Sequence, residues 1–255
     1  MDFLKTTTGI PSGMEYGTLR SLNALKRKYT DMIVCLDNGK EKKGHEFYKA
    51  NRPKKSPEFY KRLKQITGVV KELYSFSERV DTEADTIMHA LSIRYNNVFL
   101  YTNDKDLHQS ITDTVLQIKS HNSKEFIWGP EEVWEKYKVR PDQWALYRSF
   151  IGDPSDNIPK CKGFGPMYAA ELVRAAFHAN PGNPCDGLIA VLDKANLSVK
   201  QRTACTIFQE QLHINYSLIK IPSIKATVYE ALGGDISEFL TKYEMNTLTT
   251  DETEF

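Results

Sequence analysis

Short apolar runs alternating with helical spacing constrain this chain more than any other feature. MIVCLD at 32–37, VFLYT at 98–102 and VLQIK at 115–119 are each about the length of one buried strand. Between them, Tyr16, Leu19, Leu22 and Leu25 recur at helical spacing and predict a helix near 15–29. A charged helix is predicted near 56–74, and another from Glu83 to Tyr95. Strands that alternate with helices imply a parallel sheet with helices on both faces. From about 130 the strand pattern stops. PEEVWEKY and PDQWALYRSFIG each open with proline and acid, which starts a helix. MYAAELVRAAF follows the turn GFGP at 163–166, and the rest to about 243 reads mostly helical before a frayed tail, TTDETEF. The expected organisation is an α/β core over 1–129 and a helical half over 130–255.

The chain has 255 residues, enough for a substantial core. Its formal net charge is only +1, so the distribution of charge carries more information than the total. Cys35, Cys161, Cys185 and Cys205 are scattered without a CxxC pair, which argues against a disulfide frame or a zinc site. No run of about 18 apolar residues predicts a membrane span. MDFLKTTTG lacks the apolar stretch of a signal peptide, and a cytosolic compartment is expected.

Acids gather where the predicted strands end. Asp37 closes MIVCLD, and Asp104 and Asp106 follow VFLYT in TNDKD. Glu83 and Asp85 lie in TEAD at a helix start, and Asp153 and Asp156 in GDPSDN. An open parallel sheet places its reactive crevice beyond the carboxyl ends of the strands, where Asp37, Asp104 and Asp106 would meet. Carboxylates crowded in one crevice repel unless cations neutralise them. Hard divalent ions such as Mg²⁺ suit such oxygen ligands, and two of them about 4 Å apart can activate water on a phosphodiester. Any one of these acids alone reads more simply as a helix cap; the ordered set gives the specificity.

Lys40, Lys42, Lys43, Lys49, Arg52, Lys54, Lys55, Lys61, Arg62 and Lys64 form a dense basic segment with Phe47, Tyr48, Phe59 and Tyr60 interleaved. Bases with aromatics suit single-stranded nucleic acid, with charges on phosphates and rings on bases. Further on, IPKCKGFGPMYAAELV reads as helix, tight turn, helix. Gly163 and Gly165 permit close approach of backbone to a phosphate, and Lys160 and Lys162 add charge.

In this order the blocks TTTGIPSGMEYGTL, IVCLD, YKANRPKKSP, TEAD, TNDKDLHQ, GDPSDNIPKCKGFGPMYAAELV and NYSLIKIP resemble the 5′-nuclease family. It includes the 5′-exonuclease domain of bacterial DNA polymerase I, phage 5′-exonucleases and flap endonucleases. The resemblance implies a sheet of the PIN-like type, a helical arch near 40–64 and a helix–two-turn–helix motif near 141–177. It implies metal ligands at Asp37, Glu83, Asp85, Asp104, Asp106, Asp153 and Asp156, holding two Mg²⁺ with Mn²⁺ as a substitute. Lys49 and Arg52 match arch residues that act on the scissile phosphate, and Tyr48 an aromatic position there that stacks on a base. Lys54, Lys55, Lys160, Lys162, Gly163 and Gly165 are expected DNA contacts, with K⁺ at the glycine turn. The implied activity is 5′-3′ exonuclease or flap endonuclease cutting of branched or 5′-ended DNA or RNA–DNA. A monomer in a bacterial or phage-infected cytoplasm is expected, with no membrane partner.

Two departures stand out. Bacterial members usually carry an acid where this chain has Thr86. The family's first strand, with its IDG aspartate, is expected well before the TTTGIP block, yet this block lies almost at Met1. Two rival readings follow: a catalytically weakened DNA-junction-binding homologue, and a PIN-type ribonuclease. GDPSDNIPKCKGFGP argues against the second.

Overall fold

The computed structural model describes residues 13–29, 31–38, 45–122 and 124–242. The TTTGIP block, Lys40, Lys42, Lys43 and the TTDETEF tail lie outside them. In chain order the helices and strands are α1 (Gly13–Lys28), β1 (Val34–Cys35), α2 (Pro57–Leu73), β2 (Phe76–Ser77), α3 (Ala84–Arg94), β3 (Val98–Tyr101), β4 (Val115–His121) and β5 (Lys124–Trp128). Then come α4 (Pro130–Tyr137), α5 (Trp144–Ile151), α6 (Pro166–Ala179), α7 (Pro184–Lys194), α8 (Val199–Ile219) and α9 (Ser237–Lys242). The chain divides into two compact units, one of residues 1–40, 53–84 and 226–255, the other of 41–52 and 85–225. No helix among the described residues is long and apolar enough to cross a membrane.

In the first unit, β1 and β2 pair in parallel, Val34 opposite Phe76 and Cys35 opposite Ser77. The Ser56 hydroxyl accepts from the Phe59 N–H at 3.2 Å, and Pro57 follows at the first helical position, so α2 starts where local chemistry favours it. Ile66, Val69, Val70 and Leu73 of α2 join Met14 and Leu19 of α1, with Ile236 and Leu240 completing the core. Into this core α1 carries a fully buried acid, Glu15. Arg62 of α2 meets it with a two-pronged contact: Nε donates to Oε1 at 2.7 Å and a second guanidinium nitrogen donates to Oε2.

In the second unit, β3 and β4 pair in parallel from Val98 opposite Val115 to Tyr101 opposite Ile118. β5 returns antiparallel along β4. The largest core here surrounds Trp144, Tyr147 and Phe150 of α5, with Val133, Val173, Leu188 and Leu212 packed around them. Residues 129 and 130 lie inside this unit, where the Glu132 carboxylate accepts from the Gly129 N–H at 2.7 Å and caps α4.

The predicted helices and apolar strands are present, and the parallel pairing appears in both units. Two strands and one long non-helical stretch differ from expectation. β2 has only two residues, too few to carry a pattern. β5 exposes both Phe126 and Ile127, so no alternation marks it. Residues 221–236, expected as mostly helical, contain no helix; instead Tyr229 exchanges backbone hydrogen bonds with Phe76 at 2.8 and 2.9 Å. Pro222 explains the stop, because a proline lacks the N–H and disfavours helical geometry at the residue before it.

Removing one partner of a buried ion pair strands the other, at a cost of about 3–5 kcal/mol. Arg62→Ala is therefore expected to lower the melting temperature by roughly 6–20 °C, at about 2–4 °C per kcal/mol for a chain of this size. The double change Glu15→Met with Arg62→Leu should recover most of that loss. Thermal unfolding of the three chains checks this, and an unchanged midpoint in Arg62→Ala would show that the pair does not hold α1 to α2.

Candidate metal and nucleic-acid site

The turn after β3 is fixed almost entirely by side chains of β4 and of its own residues. The Thr102 N–H still donates to Ile118 O, at 3.0 Å. Asn103 then extends the ladder with its amide, donating to Ser120 O and accepting from the Ser120 N–H, both at 3.0 Å. The fully buried Gln117 donates to Thr102 O at 2.9 Å and to Asp104 O at 2.6 Å. The Asp104 carboxylate accepts from the Asp106 N–H at 2.8 Å and opens the 3-10 turn Asp106–Ser110. Beyond it, Gln109 donates to Asp106 O at 2.9 Å and to Ile219 O at 3.0 Å, and accepts from the Ile221 N–H at 2.9 Å. Asp104 and Asp106 thus sit on a loop anchored at both ends.

A second acidic loop follows α5. Gly152 has φ 74°, and a Cβ there would stand 2.8 Å from Ile158 O, so the turn requires glycine. Asp153 and Ile158 exchange backbone hydrogen bonds at 3.0 and 2.8 Å, closing the loop. The Asp153 carboxylate accepts from the Ser155 N–H at 3.0 Å and hydroxyl at 2.6 Å, and its other oxygen pairs with Arg148.

The YKANR segment is seated on this loop. Arg52 pairs with the buried Asp156. The Lys49 N–H donates to Asp156 O at 2.9 Å, the Asn51 amide to Pro154 O at 3.0 Å, and the Asn157 amide back to Phe47 O at 2.8 Å. Lys49 holds φ 56° in making this turn. Its ammonium lies 4.9 Å over the Tyr48 ring, which itself packs against Ala145, Ile158, Leu218 and Ile219. Residues 46–52 are turns rather than the helix of an arch; helix begins only at Pro57. Lys54 and Lys55 are exposed just before it.

Electrostatics ties the two acidic loops together. Burial pushes the Asp106 carboxyl from its ordinary 3.8 up to about 7; Asp104, Asp153 and Asp156 push the same way, against Arg148. Burial also works against the Asp153 carboxylate, but its Ser155 hydrogen bonds and the adjacent Arg148 outweigh it and hold its pKa low. Of the seven acids singled out in the sequence, Asp104, Asp153 and Asp156 act on Asp106. Asp37 and Glu83 belong to the first unit, where Asp37 accepts from the Ala84 N–H at 2.6 Å. Asp85 accepts from the N–H of Thr86, the residue that replaces the usual acid, at 2.6 Å. Among the described residues no three acid, histidine or cysteine side chains are close enough to hold an ion as they stand. Arg148 and Arg52 draw Asp153 and Asp156 to themselves. Sequence patterns did not single out Arg148, Gln109 or Gln117, because a charge inside an apolar helix and an amide in a strand carry no motif.

The glycine turn lies farther along the same unit. Gly163 has φ 88°, and its carbonyl accepts from the Gln201 amide of α8 at 3.1 Å. Gly165 precedes Pro166 and caps α6 with ordinary backbone geometry, and a Cβ there would meet nothing within 4 Å. Lys160, Lys162, Gly163 and Gly165 are all exposed.

Comparison with known proteins bears on the family and the fold. The chain is 35% identical over 182 residues to the thermostable DNA polymerase I of Thermus thermophilus, a match covering 67% of this chain and 21% of that polymerase. It is 28% identical over 229 residues to a 5′-3′ exonuclease of Aquifex aeolicus, covering 86% of this chain and 74% of that protein. Its fold is similar to that of the T5 D15 protein co-crystallised with metal ions, with a TM-score of 0.65, 21% identity, and 82% and 81% of the two chains covered. It is also similar to the catalytic core of Rad2 in complex with DNA substrate, with a TM-score of 0.58, 12% identity, and 96% and 83% covered. Residues 1–138 match the family described as the 5′-3′ exonuclease, N-terminal resolvase-like domain, and the chain belongs to that family.

Proposed function

We propose that this chain is a divalent-metal-dependent 5′-nuclease that hydrolyses phosphodiester bonds at 5′ ends or flaps of branched DNA or RNA–DNA. One observation carries the reading: burial, with Asp104, Asp153 and Asp156 adding to it, pushes the Asp106 carboxyl up to about 7, and the Lys49–Arg52 segment is clamped on the loop that carries Asp153 and Asp156. Hard oxygen donors that repel one another are the donor set a Mg²⁺ or Mn²⁺ ion would relieve. Those four, with Asp85 of the same unit, would hold such ions. When bound, divalent ions supply a water nucleophile at neutral pH and stabilise the leaving oxygen. Related proteins named 5′-3′ exonucleases, and a structural neighbour co-crystallised with metal ions, support the same reading.

The remaining roles belong to the chain itself. Lys49 and Arg52 would place positive charge on the scissile phosphate, where one well-placed donor is worth about 2.7–4 kcal/mol. Tyr48, partly buried against Ile158 and its neighbours, would offer its remaining surface to a base. Exposed Lys54 and Lys55 would track the single strand. The Gly163–Gly165 turn with Lys160 and Lys162 would take the duplex backbone, and its carbonyls are suited to K⁺. Gly165 is informative because nothing inside the protein demands a glycine there.

Two measurements follow. Without metal, raising the pH from about 4 to about 7 costs stability through Asp106, because the native state keeps a proton that the unfolded chain has released. Asp106→Asn is therefore expected to raise the metal-free melting temperature by a few degrees at pH 8 and not at pH 4, and to shrink the further rise that Mg²⁺ gives the parent chain. Equal responses to Mg²⁺ in both chains would remove Asp106 from the ligand set. The second measurement uses a labelled 5′-flap duplex. Lys49→Ala should slow single-turnover cleavage by about 100-fold with little loss of affinity. Gly165→Ala should leave the melting temperature unchanged and weaken duplex affinity several-fold. Parental affinity in Gly165→Ala would argue against backbone contact at this turn.

A further inference from the structure

The loop bearing Asp104 and Asp106 hangs on a chain of hydrogen bonds that can run in one direction only. It starts at Lys119 on β4, whose ammonium has donors and no acceptor. Lys119 Nζ lies 3.0 Å from His108 Nε2, so Nε2 accepts. The proton of a neutral ring must then sit on Nδ1, which faces Gln117 Oε1 at 2.7 Å. That oxygen accepts, which leaves the Gln117 amide nitrogen to donate to Thr102 O at 2.9 Å and Asp104 O at 2.6 Å. An ammonium at one end and two backbone carbonyls at the other thus agree on one tautomer of the histidine and one orientation of the amide.

The surroundings leave no other solution. His108 and Gln117 are fully buried. The imidazole stacks on Trp128 at 5.1 Å and 11°, with the edge of Trp144 at 4.7 Å and Tyr137 at 5.8 Å. Lys119 itself lies 4.1 Å over the Trp128 ring. Reversing the amide would set its oxygen against two carbonyl oxygens in a buried site, and each unsatisfied group there is costly. Bonds in such a chain also polarise one another, so loss of the first weakens the rest.

We propose that Lys119 is a positioning residue: through His108 and Gln117 it fixes the Asp104 carbonyl, and with it the placement of the Asp104 and Asp106 carboxylates toward a divalent cation. The proposal rests on the reading of these two acids as metal ligands. It adds a residue of β4 that no acidic motif marks.

The test uses the full chain, uniformly ¹⁵N-labelled. Two-bond nitrogen–proton correlation should show His108 as the neutral Nδ1–H tautomer. Lys119→Met should broaden or change that pattern. It should also raise the Mg²⁺ concentration needed for half-maximal flap cleavage by about 10-fold, the low end of the effect of orienting partners on metal affinity. Mg²⁺ titration followed by the Asp104 and Asp106 amide shifts should move in parallel, with the KM for flap little changed. Lys119→Arg, which keeps a donor, should restore the tautomer and the metal requirement. An Nε2–H tautomer in the parent overturns the proposal, and this reading survives even if Lys119→Met fails to fold. So does a changed tautomer with an unchanged Mg²⁺ requirement. Asp104→Asn in the same assay separates the two readings. Parental cutting by that variant overturns the ligand assignment and the proposal with it. Loss of cutting there, beside a parental Mg²⁺ response in Lys119→Met, overturns the positioning role alone.

Discussion

Burial of carboxylates, with their mutual repulsion, is the constraint on which the two acidic loops of the second unit depend. Asp104, Asp106, Asp153 and Asp156 cannot all be charged side by side at low dielectric without compensation. The chain answers in three ways. Arg148 and Arg52 pair with Asp153 and Asp156. Asp106 keeps its proton to about pH 7. Neutral amides, Asn103, Gln109 and Gln117, hold the backbone so that the acids cannot drift apart. The compensation is local to these two loops.

This explains why the loops are so heavily tied down. A loop free to move would relieve repulsion by spreading. The ties to β4, to the end of α8 and from residues 47–52 remove that freedom. The first unit solves a related problem differently: Glu15 is buried with its own guanidinium and is thereby spent on structure.

Much of this was legible in the sequence. Strand runs such as VFLYT and the acids after them announced the sheet edge, because apolar runs and strand-terminal acids are local signals. GDPSDNIPKCKGFGP announced both the acidic loop and the glycine turn. What was not legible is contact across sequence distance. Arg148 reads as one polar residue in an apolar helix, and Lys119 and Gln117 as two polar residues in an apolar strand; their roles exist only once β4 lies beside the 102–110 loop. β2 and β5 escaped because two residues carry no period and an exposed strand carries no alternation. The helix expected after Ile221 failed at Pro222, where local chemistry should have been weighed above the mostly helical trend around it.

The path of the chain has a consequence for the order of synthesis. Residues 85–225 leave the ribosome as one continuous stretch and contain nearly all of the second unit. The first unit is assembled from three separated stretches, and its β2 strand finds a partner in Tyr229, more than 150 residues later. During translation Phe76 therefore waits, its backbone unpaired on that side, until the last segment emerges. A nascent chain stalled shortly after residue 225 would hold a finished second unit tethered to an unfinished first one, with Ile66, Val69 and Leu73 lacking the cover of Ile236 and Leu240. The interval between those two emergences is when this protein is most open to chaperones and proteases.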